Sequence, residues 1–245
     1  SDGLELYFQP KVDVASREPA GLEVLVRWRH PELGLLPPSQ FVPIIEVSSL
    51  VGPFTEWVLD RTLRQMARWL ENGIDIKCAV NVSVRNLLDE SFPATVLRLL
   101  EQHRVSADRL ELEITETAVM MDPEHSQRVL SRLRELGLRL SIDDFGTGHA
   151  SLAYLKRLPI GAVKIDRSFV NAMASNDQDR IIVSSTIHMA HELGLQVVAE
   201  GVEDGAPLDV LHTLGCNQAQ GYHISKPMPA KAATNWLRRH AAFAG

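Results

Sequence analysis

The chain is poor in the features that would staple it, anchor it or give it a metal cage of nitrogen and sulfur. Its 245 residues include only the cysteines Cys78 and Cys216. That excludes a disulfide framework, and with Cys78 in an apolar strand pattern both read as reduced thiols. No apolar run approaches the roughly 20 residues that a membrane-spanning helix needs, and the N-terminal residues carry no basic-then-apolar leader. The 9 histidines show no zinc-type spacing. There is no charge block, low-complexity tract or clear internal repeat. A formal charge of −6 disfavours polymeric nucleic acid and anionic membranes as partners. A glycine-rich phosphate loop is also missing, since Gln9-Pro10-Lys11 stands where a doubly wound nucleotide-binding sheet would place one. These absences lead to the expectation of a cytoplasmic protein, or the cytoplasmic part of a larger, membrane-anchored one.

What is present is an ordinary globular composition, 45% hydrophobic and 23% charged, enough to build a core without staples. A strand pattern over 4–8 is ended by Gln9 and Pro10, and a second covers 21–28. The short turn at 16–19 requires this pair to be antiparallel, because a parallel pair needs a crossover. A chain already in a strand by Leu4 reads as a module cut from a longer polypeptide. Helices are predicted over 39–47 and 54–71. From there strands (76–82, 110–114, 138–143, 162–165, 196–199, 220–224) alternate with helices (93–102, 123–136, 151–157, 179–193, 207–214, 230–239). This alternation predicts an α/β fold, a TIM-like (β/α)8 barrel forming one domain over 1–245, irregular in its antiparallel N-terminal hairpin.

Barrel active sites lie at the C-terminal ends of the strands. Those ends carry Glu23 or Arg27, Asn81, Glu113, Asp143 with Asp144, Lys164 with Asp166, Glu200 with Glu203, and Gln220. Neighbouring side chains on a strand point to opposite faces. Asp143 and Asp144 can therefore serve one site only where the strand ends and the backbone turns, and Gly146 and Gly148 follow directly. Singly, each residue has a plain explanation as a helix cap, a turn former, an acid at a helix start or a buried amide. Their recurrence at strand end after strand end points to a site. Carboxylates and an amide without converging His or Cys select Mg²⁺ or Mn²⁺. So many acids suit two ions bridged by a shared carboxylate such as Asp143, and two-ion sites typically activate a water for in-line attack on phosphorus. Phosphoester hydrolysis is the expected chemistry.

Glu23-Val24-Leu25, Asn81-Val-Ser83, Glu111-Leu-Glu-Ile-Thr-Glu116, Asp143-Asp-Phe-Gly-Thr-Gly148, Lys164-Ile-Asp166, Ala199-Glu-Gly-Val-Glu203 and Gln220-Gly-Tyr222 together resemble the ordered motifs of the EAL domain, a family of bacterial cyclic di-GMP phosphodiesterases. The resemblance runs from about Leu4 to Arg239 and is specific because several motifs match in order. It implies a TIM-like barrel with one antiparallel strand. It also implies hydrolysis of one phosphodiester of cyclic di-GMP to linear pGpG, dependent on two Mg²⁺ or Mn²⁺ ions. Carried over by position, Glu23, Asn81, Glu113 and Asp143 match the ligands of one ion, and Asp143, Asp144 and Glu200 those of the second. Lys164, Glu200 and Glu23 match the catalytic set, with Lys164 contacting the attacking water. Gln9, Arg27 and Gln220 match substrate contacts. Glu116 matches the residue that anchors the loop after Asp144, while Asp166 and Glu203 match acids around the ligands. The resemblance further implies a homodimer and an upstream sensory or GGDEF-type domain.

The chain departs from the family at Val24, where the family has alanine, and at His149-Ala150-Ser151, where the family loop runs Tyr-Ser-Ser. In the family that loop couples the metal site to a dimer contact. The alternative reading is a non-catalytic cyclic di-GMP sensor, as in relatives that have lost motif residues, yet no metal ligand and no lysine is lost here. A barrel lyase using Lys164 as a Schiff base is disfavoured, because a lysine ringed by acids stays protonated.

Overall fold

The computed structural model describes residues 3–146 and 155–241. His149 and Ala150, and with them most of the helix expected over 151–157, lie outside the described residues. The strands in chain order are β1 (Leu4–Asp13), β2 (Pro19–His30), the short β3 (Gly34–Leu36), β4 (Cys78–Val82), β5 (Leu110–Thr115), β6 (Arg139–Phe145), β7 (Ala162–Ile165), β8 (Gln196–Ala199), β9 (Gln218–Gln220) and the two-residue β10 (Met228–Pro229). From β2 through β4 to β9 each neighbour pairs in parallel. β1 is antiparallel to β2 on one side and to β9 on the other, which closes the sheet into a mixed eight-stranded barrel. The α/β barrel with one antiparallel strand is therefore the observed fold.

The hairpin forms because Asp13 accepts the backbone N–H groups of Ala15 and Ser16 at 3.0 and 2.8 Å, an Asx-type turn. β1 does not stop at Pro10 as its proline suggested. On the side away from β2, β10 pairs Tyr7 and Phe8 and β9 pairs Lys11 to Asp13, so Pro10 falls between two partners where no N–H is needed. The strand expected over 220–224 is corrected as well: β9 ends at Gln220. A Cβ on Gly221 would fall inside the backbone of Val202. The N–H groups of Ile224 and Ser225 then turn back to the Gly221 carbonyl, while His223 donates to Val202.

Side chains alternate along the strands, and the two faces differ in chemistry. On β5, Leu110, Leu112 and Ile114 point outward, and with Val80, Leu140, Ile142, Val163 and Val197 they are fully buried under the helices. The covering helices contribute Leu59, Leu63 and Met66 from Val51–Glu71, Leu130 and Leu133 from Pro123–Glu135, and Val183 and Ile187 from Asp177–Glu192. The barrel axis holds the buried polar set instead: Gln9, Lys11, Glu23, Glu113, Ser141, Lys164 and Gln220. Among the described residues no helix is long and apolar enough to cross a membrane.

Candidate active site

Lys164, on β7, is the centre of the mouth. Its side chain is fully buried, and Nζ lies 2.7 Å from Glu113 Oε2, 2.7 Å from Glu200 Oε1 and 3.1 Å from Asp143 Oδ1. Burial alone would push its pKa down, but Glu113, Glu200, Glu23 and Asp143 outweigh burial and hold it well above the ordinary lysine value. The acids respond in different ways. Burial would raise Glu113, yet Lys164 and Lys11 hold it below the usual carboxylate range. Burial, with Asp143 and Glu23 nearby, pushes Glu200 up to about 8. Glu23 is raised mainly by burial, with Glu113 and Asp143 adding to it.

Asp143 and Asp144 share the site through a defect in β6. The β6–β7 register runs Ile142↔Val163 and then Phe145↔Ile165, so two residues of β6 oppose Lys164 alone, which is a β-bulge. Asp144 takes a left-handed φ of 53° and donates its N–H to Asp143 Oδ1 at 3.0 Å. This is the turn that the paired acids required. It gathers Asp143, Asp144 and Glu200 so that one ligand oxygen from each lies within 4.8 Å of the others. Asp144 is raised by burial and by the neighbouring charges of Asp143 and Asp166.

The opposite wall is an amide and carboxylate network. Asn81 donates from Nδ2 to Glu23 Oε1 at 2.8 Å, and Gln220 donates from Nε2 to Glu23 Oε2 at 2.5 Å and to Gln9 Oε1 at 3.1 Å. Gln9 spends its own amide on the Ser225 carbonyl. Gln220 Oε1 is buried without a hydrogen-bond partner among the described residues, so the site has an acceptor still to be satisfied. Arg27 rests its guanidinium 5.7 Å from the Tyr7 ring centroid and donates to the Val26 carbonyl. Gln9, Glu23, Arg27 and Gln220 line a cavity of about 250 Å³, together with Asp143, Glu200 and Glu203.

Two expected residues stand further back. Glu116, at the start of the helix Glu116–Met121, accepts the Gly146 N–H at 3.3 Å, just past the bulge. Asp166 caps the helix Arg167–Ala172 by accepting the Ser168 N–H. Arg167 and Tyr222 also line the cavity, and Lys11 reaches Glu113 Oε1 at 3.2 Å from below, none of which the sequence reading singled out. Lys11 had a usable signal, since it lies two residues beyond Gln9 on the same face of one strand.

The donors are all oxygens, several are anionic, and one ammonium sits among them. Such a set can hold a hard divalent cation and an anionic ester.

A model of the EAL domain matches residues 1–227. The chain is 39% identical over 238 residues to a cyclic di-GMP phosphodiesterase of Pseudomonas aeruginosa, covering 97% of this chain and 40% of that protein. It is 43% identical over 240 residues to the cyclic di-GMP phosphodiesterase NbdA of the same organism, covering 98% of this chain and 31% of that protein. The chain thus spans well under half the length of these curated relatives. Among solved structures, a PaMucR phosphodiesterase in complex with c-di-GMP matches with a TM-score of 0.91 at 42% identity over 94% of each chain. The EAL domain of Mycobacterium smegmatis DcpA matches with a TM-score of 0.84 at 34% identity over 97% of this chain and 98% of that one.

Proposed function

The chain belongs to the EAL domain family, and on that premise we propose that it hydrolyses one phosphodiester bond of cyclic di-GMP to linear pGpG. The observation that carries the proposal is the oxygen cluster of Asp143, Asp144 and Glu200 with the Lys164 ammonium beside Asp143 and Glu200. The donor set fits Mg²⁺ or Mn²⁺, and the unsatisfied Gln220 Oε1 is suited to a donor from substrate or water. Glu23, Asn81, Glu113 and Asp143 would hold one ion, and Asp143, Asp144 and Glu200 a second. Such ions supply Lewis acidity toward the phosphoryl oxygens and lower the pKa of water.

The chain's own groups then divide the remaining work. Lys164 stays an ammonium among its acids, so it donates hydrogen bonds to the attacking water and to developing negative charge rather than removing a proton. Glu200 and Glu23 complete the catalytic set as carboxylates facing Lys164, and burial raises both above the ordinary carboxylate value, so an ion held by them would displace their protons. Arg27 offers a planar multi-donor cation to a phosphate, and Gln9 and Gln220 fix the substrate beside it. Glu116 tethers the backbone after Asp144, and Asp166 and Glu203 act from outside the ligand set. A homodimer, an attached sensory or GGDEF-type domain and a cytoplasmic location belong to the same reading.

Product analysis with cyclic di-GMP in Mg²⁺, in Mn²⁺ and in EDTA tests it. Metal-dependent pGpG supports a hydrolase, whereas tight binding without product makes the domain a sensor. Lys164→Ala is expected to lower turnover far more than substrate affinity, because its role lies in the transition state. Equal loss of both makes it a binding residue.

A further inference from the structure

A second cavity, of about 270 Å³, adjoins the mouth, and the chemistry proposed above makes no use of it. Seven valines line it, together with Leu25 and Phe54. Val24 and Val80 come from the outer faces of β2 and β4, Val58 and Phe54 from the helix Val51–Glu71, and Val42 from the five-residue helix Val42–Glu46. Leu25 is the residue that this cavity shares with the polar one at the mouth.

Well-packed interiors leave few voids larger than a water molecule, and the helix Val42–Glu46 accounts for this one. None of its residues is buried, and Ile44 is 70% exposed, so the helix turns its bulk to solvent rather than into the space beneath. Arg85 holds it there, donating to the carbonyls of Ser48 and Val47 at 2.8 and 3.3 Å. The polar groups around the cavity are already engaged. Thr55 Oγ1 and Ser83 Oγ both donate to Asn86 Oδ1, and Asn81 donates to Glu23. Among the described residues Glu46, which is exposed, is the only charged one lining it. The walls offer an anion no donor and a hydrocarbon a dry surface.

We propose that this cavity is a second ligand site, for an uncharged apolar molecule, and that its occupancy weakens substrate binding at the mouth through Leu25. Apolar cavities of roughly 150 Å³ stay dry and take up benzene or xenon, so this one has room for a larger hydrocarbon. A ligand among the valines meets Leu25 from behind and presses its side chain toward the substrate cavity. The coupling rests on the reading of the mouth as a cyclic di-GMP site, whereas the binding does not.

The test uses p-xylene as the probe, with methyl NMR of the valine-labelled chain. Saturable shifts at Val24, Val58 and Val80 are expected, and none in Val42→Trp, whose larger side chain fills the space. With p-xylene saturating, affinity for cyclic di-GMP, measured by calorimetry in EDTA so that no turnover intervenes, is expected to fall about fivefold, the lower end of typical coupling between sites. By reciprocity cyclic di-GMP weakens p-xylene binding by the same factor. Unshifted valines, or the same shifts in Val42→Trp, overturn the site. Shifts that instead follow protein concentration, with p-xylene excluded, overturn it in favour of a second copy of the chain. Unchanged cyclic di-GMP affinity at a saturated site overturns the coupling. If cyclic di-GMP does not bind at all while the valines still shift, the substrate reading fails, taking the coupling with it, and the apolar site stands. Should Val42→Trp not fold, xenon-pressurised crystals of the unaltered protein decide: xenon among these valines is expected, and its absence overturns the site.

Discussion

Glu113 stands between two buried ammonium groups, and its removal should be felt in stability before any assay of function. Losing one partner of a buried charged network leaves the other charges uncompensated, at a cost of about 3–5 kcal/mol. Glu113→Ala is expected to lose stability on that scale in urea unfolding carried out in EDTA. Asp143→Ala should lose less, because Asp143 is partly exposed where Glu113 is not. Glu200 supplies a pH signature. Its folded pKa of about 8 lies above the ordinary glutamate value of 4.5, so between those values the folded protein holds a proton that the unfolded chain has released. The contribution of this group to stability therefore falls as pH rises toward about 8. A cation must expel that proton, so cation affinity should rise with pH up to about 8 and then level. Calorimetry in buffers of different ionisation enthalpy should show proton release on binding below about 8.

At the scale of elements, the β6 bulge decides whether adjacent acids can cooperate. Asp144 occupies left-handed space that asparagine also tolerates and alanine does not, at a cost of roughly 1–2 kcal/mol. Asp144→Asn should keep near-normal urea stability while losing cation affinity, whereas Asp144→Ala should lose both. Comparing the two separates the backbone role from the charge. The sequence showed that Asp143 and Asp144 need a turn, and it showed the strand–helix alternation that makes the barrel. It did not show the bulge, because the residue in left-handed conformation is an aspartate rather than the glycine that would announce it. Lys11 escaped notice because Pro10 reads locally as a strand end. Only the division of β1 between β9 and β10 lets the strand continue. The chain after Gln220 reads as a strand for a similar reason, since what bends it is the backbone of Val202 packed against Gly221, a contact no local pattern carries. Arg167 and Tyr222 reach the cavity from just beyond strand ends, where placement depends on tertiary packing.

At the scale of the molecule, the outer ring is tied where the ends of the chain meet. Trp69 donates its indole N–H to Thr234 Oγ1 at 2.8 Å and packs edge-on against Phe8 with ring centroids 5.0 Å apart. One side chain thus links the helix Val51–Glu71, β1 and the last helix, Ala230–Ala241. Trp69→Ala is expected to cost about 3–5 kcal/mol. Trp69→Phe, which keeps a ring and gives up one hydrogen bond, should cost about 1 kcal/mol. In urea, fluorescence, far-UV circular dichroism and substrate binding should fall together in each variant, because the strands that carry the site are also those that close the barrel.

That closure has a consequence for biosynthesis. The hydrogen bond from Gln220 to Gln9 joins residues 211 positions apart, so the emerging chain presents Glu23, Glu113, Asp143 and Lys164 long before the strand that completes the ring leaves the ribosome. A chain that terminates early carries nearly all of the polar axis but no closed barrel around it. Translation must run to β9 before the barrel can close around a ligand, which makes that strand a check on completeness and leaves copies truncated before it silent.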